Sequence, residues 1–128
     1  MMARIRSKNT RPELIVFAAL TRRGVKFRRH FQNAPGHPDI ARPRRKLAVF
    51  IDGDFWHGRE LRRMLEKHGA DSPWVKKLER NMTRDVQQEQ QLRDNGWDVL
   101  RVWASDILRA ATREKTIDAI EAFLRSRN

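Results

Sequence analysis

No stretch of this chain has less freedom than LAVFI, residues 47–51. Five consecutive apolar residues are too few for a buried helix, and as a strand they leave neither face polar. A strand apolar on both faces must be covered on both. The run therefore predicts an inner strand of an α/β sandwich, with helices above and below the sheet. The chain then turns abruptly polar, through Asp52, Gly53, Asp54, Phe55, Trp56 and His57. Two carboxylates, two large aromatics and an imidazole at the end of one buried strand mark a place for chemistry.

The other elements can be laid out around this strand. Thr10 and Glu13 make the S/T-x-x-E capping pattern, with Pro12 in the first turn. Leu14, Val16, Phe17, Ala18 and Leu20 then recur at helical spacing until Gly24. VKFRRHF, 25–31, sets Val25, Phe27 and Arg29 against Lys26, Arg28 and His30, which predicts a short, partly exposed strand. NAPGHP is loop chemistry. Extended structure resumes at DIA, a turn is expected at 42–45, and an antiparallel hairpin pairs 39–42 with 47–52. Residues 58–71 are basic and read as irregular with some helix. Ser72 and Pro73 begin a long helix striped by Val75, Leu78, Met82, Val86 and Leu92 and ended by Asn95 and Gly96. WDVLRVW, 97–103, is largely apolar on both alternating sets, so an inner strand is expected, reached by a parallel crossover. Trp97 and Trp103 belong to its core faces. A closing helix spans 114–126. The order α, β, β, β, α, β, α predicts a mixed sheet flanked by helices, in one domain over 1–128 with a flexible basic arm at 1–9.

Charge narrows the partner. Lys and Arg number 28 against 16 Asp and Glu, a formal net charge of +12. So large an imbalance in a small domain implies a polyanion, and nucleic acid is the expected one. There is no cysteine, which excludes disulfides, thiolate metal sites and a cysteine nucleophile. No apolar run approaches the roughly 20 residues that span a bilayer, and MMARIRSKNTRPE lacks the apolar core of a signal peptide. The expectation is a cytoplasmic protein with no membrane partner, monomeric.

Within the hairpin, Asp39 and Asp52 meet at one end. Two carboxylates placed together repel unless a cation or a proton intervenes. Oxygen donors suit a hard divalent ion such as Mg2+. Such an ion acidifies a bound water and stabilises a phosphoryl transition state. A basic protein that brings a phosphodiester to that ion has the parts of a nuclease. The competing account is that both aspartates cap loops and pair with the abundant arginines. His57 has the right chemistry for proton transfer at neutral pH, though a single histidine is more often a structural residue. His30, His37 and His68 read as surface or loop residues. Phe55 and Trp56, adjacent in sequence, cannot both point inward, and an outward aromatic can wedge between base pairs. Trp74 is a second candidate for that role.

RIRSKNTRPEL, GHPDI, VFIDGDFWHG, WVKKLERNMTRD and GWDVLRVW occur in the order and spacing of the very short patch repair (Vsr) DNA endonucleases, and the chain resembles that family over residues 4–107. The resemblance implies a restriction-endonuclease-like fold, and an activity that nicks one DNA strand at a T:G mismatch. It implies Asp39 as principal metal ligand, the Ile51 backbone carbonyl and Asp52 as further metal contacts, and His57 as catalytic histidine. Glu13 would be a supporting acid, a role that competes with its place in the capping box. Phe55, Trp56 and Trp74 would insert beside the mismatch, and Lys8, Asn9 and Arg84 would contact DNA. The implied cofactor is Mg2+ or Mn2+, the implied nucleic acid is double-stranded DNA, and other DNA repair proteins are compatible partners.

The chain departs from the family in one respect. Many family members hold a structural zinc with cysteines and a histidine, where this sequence has Asp54, Arg59, Leu61 and Ser105. Without cysteine that site cannot exist in its usual form, so no structural zinc is expected. Residues 54–70 would be repacked, with an Arg59–Asp54 ion pair, or mobile. The alternatives to mismatch nicking are a related nuclease without mismatch preference and a DNA-binding module without catalysis.

Overall fold

The computed structural model describes residues 9–53 and 61–127. Its elements are α1 (Arg11–Arg22), β1 (Arg28–Arg29), β2 (Ile40–Arg42), β3 (Leu47–Asp52), α2 (Leu61–His68), α3 (Pro73–Asp94), β4 (Asp98–Trp103), α4 (Ala104–Leu108) and α5 (Ala110–Leu124). The strands form one sheet in the order β1-β2-β3-β4. β2 and β3 are the antiparallel hairpin, with Ile40 opposite Val49 and Arg42 opposite Leu47. The turn between them is a single 3-10 turn over Pro43–Arg45, closed by Lys46 in the left-handed region. β4 runs parallel to β3 after the crossover through α3.

The doubly apolar run is covered as its composition requires. Leu47 and Val49, with Ile40 of β2, pack against Val16, Phe17 and Leu20 of α1, Ile107 of α4, and Ile117, Ile120 and Leu124 of α5. Ala48 and Phe50 face the other way, onto Leu92 of α3 with Phe31, Trp97 and Val99. The sheet is thus the middle layer of three, and the fold is the restriction-endonuclease-like α/β sandwich. Burial of a Leu, Val or Phe side chain on either face contributes about 1.5–3 kcal/mol.

Three expectations need correction. The strand drawn over 25–31 shrinks to Arg28–Arg29, because His30 takes φ +48° and turns the chain out of extended geometry. β4 is an edge strand among the described residues, partly buried along its whole length. Its apolar residues are sheltered by helices above and below, and no further strand pairs with it there. The stripe on α3 is interrupted: Val75, Leu78 and Leu92 are buried but Val86 is 69% exposed. The inward middle of α3 presents Glu89 instead, which reaches Arg101 of β4. The helix expected within the basic segment 58–71 is α2, whose Met64 packs on Val75 and Leu78 of α3. Asp54 and Arg59, and the ion pair expected of them, lie outside the described residues.

Candidate active site

The site lies where the hairpin ladder runs out. Asp39 immediately precedes β2, and its Oδ2 accepts the Ile51 N–H at 2.7 Å, extending the ladder past the Ile40–Val49 pair. On the other side of β2, the His30 N–H donates to the Asp39 carbonyl at 2.9 Å. Asp39 is therefore held by backbone on both flanks. Glu13 arrives from the first turn of α1, where its Oε1 accepts the Thr10 N–H at 3.2 Å. The capping box and the position beside Asp39 do not exclude each other, since the cap is what orients the Glu13 carboxylate.

Glu13, His30 and Asp39 each offer a ligand atom, and those atoms lie within 4.8 Å of one another. Two donors on opposite sides of one ion with bonds of about 2.1–2.4 Å stand about 4.2–4.8 Å apart. The three side chains thus fit a single divalent cation after small rotamer adjustments. The charge balance also favours one. Burial first, then the Glu13 and Asp52 carboxylates, push the Asp39 carboxyl up to about 7 despite the Ile51 N–H, which favours its charged form. Without a cation, burial and the neighbouring carboxylates favour the protonated form of Asp39.

Asp52 ends β3 on the α3 face of the sheet and is buried. Its two oxygens accept from Arg101 Nη1 at 3.0 and 3.2 Å. The same guanidinium donates through Nε to Glu89 Oε1 at 2.9 Å and lies 4.3 Å over the Phe50 ring. Burial opposes the Arg101 charge, but Asp52 and Glu89 outweigh it and hold its pKa above the usual arginine value. Asp39 and Asp52 come to one end of the sheet, close enough for the Asp52 charge to act on Asp39. The group of ligand atoms within reach of one ion, among the described residues, is Glu13, His30 and Asp39.

Of the remaining predicted residues that are described, Asn9 stays beside the cluster, while Trp74 and Arg84 lie on α3. Asn9 precedes α1 with φ +59°, its Oδ1 3.4 Å from His30 Nε2. Trp74 is 42% exposed in the first turn of α3, where its N–H donates to the Ser72 cap at 3.2 Å. Arg84 lines a shallow groove along α3 with Lys76, Glu79, Arg80, Thr83 and Gln87. Lys8, Phe55, Trp56 and His57 lie outside the described residues.

Comparison with known proteins settles the lineage. A family model described as DNA mismatch endonuclease Vsr matches residues 1–63. A type II nicking enzyme, V.XorIIP, of Xanthomonas oryzae pv. oryzae is 40% identical over 127 residues, covering 98% of this chain and 88% of that protein. The chain belongs to the Vsr endonuclease family. Another type II nicking enzyme, V.NmeDIP of Neisseria meningitidis serogroup C, is 38% identical over 84% of this chain and 73% of its own length. The DNA mismatch endonuclease Vsr of Escherichia coli K12 is 29% identical over 80% of this chain and 65% of its own. As a member of the Vsr family, the chain is a DNA endonuclease.

The sequence left three of the site's polar groups unmarked. His30 reads as a surface or loop residue, yet its side chain is only 15% exposed and its Nε2 lies 3.6 Å from Glu13 Oε1. Its signal is concealed, because the alternation of 25–31 assigns it to the outer set while its left-handed backbone turns it inward. Arg101 and Glu89 carried no signal beyond an arginine inside an apolar strand and an i,i+4 partner in Arg93.

Proposed function

We propose that this Vsr-family protein nicks one strand of duplex DNA at or beside a T:G mismatch, by divalent-cation-dependent hydrolysis in mismatch repair. The observation that carries the hydrolytic reading is the convergence of Glu13, His30 and Asp39 at one end of the sheet of a chain with net charge +12. Mismatch as the target is supported by the name of the Escherichia coli relative. The relatives named as nicking enzymes support cleavage of a single strand, and with it the catalytic over the non-catalytic reading.

In this reading Asp39 and Glu13 hold Mg2+ or Mn2+, with the Ile51 carbonyl and Asp52 as further contacts. The bound ion would supply an acidified water and charge stabilisation at the phosphorus. Arg101 pairs with both oxygens of Asp52 and fixes that carboxylate in place. His57 moves the proton, either from the attacking water or to the leaving oxygen. Phe55, Trp56 and Trp74 stack beside the mispaired bases, and Lys8, Asn9 and Arg84 bind the backbone. The site of action is the cytoplasm, on nucleoid DNA.

The test is a panel of matched and mismatched duplexes with each strand labelled separately, in Mg2+. One strand should be cut, fastest at T:G, by the wild type and not by Asp39→Asn. His57→Ala should bind the duplex normally and cleave at least about 100-fold more slowly, the scale of a lost general acid or base. Equal cutting of matched duplex would replace mismatch repair with a nuclease that has no mismatch preference. Cleavage by Asp39→Asn at the wild-type rate would remove the metal site.

A further inference from the structure

His30 is the member of the cluster that neither the capping box nor the hairpin explains. Its ring stands edge-on to Phe17, centroids 5.6 Å apart, and that contact sets the plane of the imidazole. Its backbone is in the left-handed region at φ +48°, unusual for a residue with a side chain. Two ladder bonds fix it there, His30 N–H to the Asp39 carbonyl at 2.9 Å and Phe31 N–H to the Pro38 carbonyl at 3.0 Å. The result is an imidazole nitrogen 3.6 Å from Glu13 Oε1. That separation is too long for a good hydrogen bond. It falls between the roughly 3 Å and 4.2 Å that separate adjacent and opposite donors around one ion with bonds near 2.1 Å. The other polar neighbour, Asn9 Oδ1, is at 3.4 Å, a weak contact that a ligating ring can give up.

We propose that His30 ligates the catalytic cation through its ring nitrogen, and that this makes the site prefer Mn2+ or Co2+ to Mg2+. The inference rests on the cation-dependent reading of the site and adds a ligand to it. Mg2+ takes oxygen donors and gives up its waters reluctantly, so a site of carboxylates and water suits it. Imidazole suits first-row transition metals, and a site with two carboxylates and one imidazole gains affinity for them over Mg2+. The carboxylates attract any dication, and the ring discriminates among them.

The experiment measures cation binding directly, without DNA, on the full chain. Mn2+ binding is followed by electron paramagnetic resonance of the free ion, Mg2+ by its competition, and Co2+ by its visible absorption. The variants are His30→Gln and Asp39→Asn, with thermal melting to confirm the fold of each. The wild type should bind Mn2+ roughly tenfold more tightly than Mg2+, the scale of one ligand's contribution. His30→Gln should keep its Mg2+ affinity within about threefold while the Mn2+ preference collapses and the Co2+ band shifts or weakens. Asp39→Asn should lose both ions. If His30→Gln retains the wild-type Mn2+ to Mg2+ ratio and Co2+ spectrum while Asp39→Asn loses binding, His30 is a structural residue and the inference fails, leaving the nuclease reading intact. If the wild type binds neither ion, or Asp39→Asn binds as the wild type does, the cation reading fails and takes the inference with it.

Discussion

Replacing Asp39 by Asn should make the protein more stable as it removes its activity. The Asp39 carboxyl stands near 3.8 in ordinary surroundings and at about 7 in the fold. Between those values the folded chain keeps a proton that the unfolded chain has released, so wild-type stability falls as pH rises from about 4 to about 7. Above about 7 the cost is complete. Three decades of proton affinity correspond to about 4 kcal/mol, at 1.36 kcal/mol for each. Local relaxation and water entry reduce such penalties, and roughly half, about 2 kcal/mol, should be recovered by an amide that carries no charge. Asn keeps the acceptor for the Ile51 N–H and adds a donor toward Glu13. Melting in a chelator should show the variant about 6–8 °C above the wild type at pH 8, at the few degrees per kcal/mol expected for this length. The two should converge below about pH 4, where the carboxyl is protonated in both states. Excess Mn2+ or Mg2+ should raise the wild type and leave the variant unchanged. A variant no more stable than wild type at pH 8, or a gain that does not shrink on acidification, would refute the claim that the cluster carries an uncompensated buried charge.

The same group links cation binding to protons. At pH 6.5, binding of Mg2+ or Mn2+ should release about three-quarters of a proton, measured by calorimetry in buffers of different ionisation heat, and affinity should rise with pH until about 7 and then level. Arg101→Met takes the guanidinium from buried Asp52 and should cost about 3 kcal/mol in denaturant unfolding. Adding Asp52→Asn to that variant should restore part of the loss, and a purely additive pair would argue against the ion pair. Arg80→Ala with Arg84→Ala should weaken binding to matched and mismatched duplex alike and reduce the slope of log K against log salt by about two. An unchanged slope would place the duplex elsewhere than the groove on α3.

Local chemistry was enough for the frame. An apolar run with no polar face can only be an inner strand, a Thr-x-x-Glu box with proline starts a helix wherever it is placed, and a short turn between two extended segments returns the chain antiparallel. Those facts led to β3, α1 and the hairpin, and through the hairpin to Asp39 and Asp52 at one end of the sheet. What needed the folded molecule were the partners across elements. Asp52 met Arg101 because a parallel crossover sets β4 beside β3 in a register that no residue pattern announces. Val86 stayed outside and Glu89 turned inward because a charged partner awaited the helix at that level. His30 joined Glu13 and Asp39 because one left-handed residue reversed a side that period-two alternation had assigned to solvent. Periodicity reports the faces of regular backbone, and a site assembled from a kink, a helix cap and a ladder end lies where the backbone is not regular.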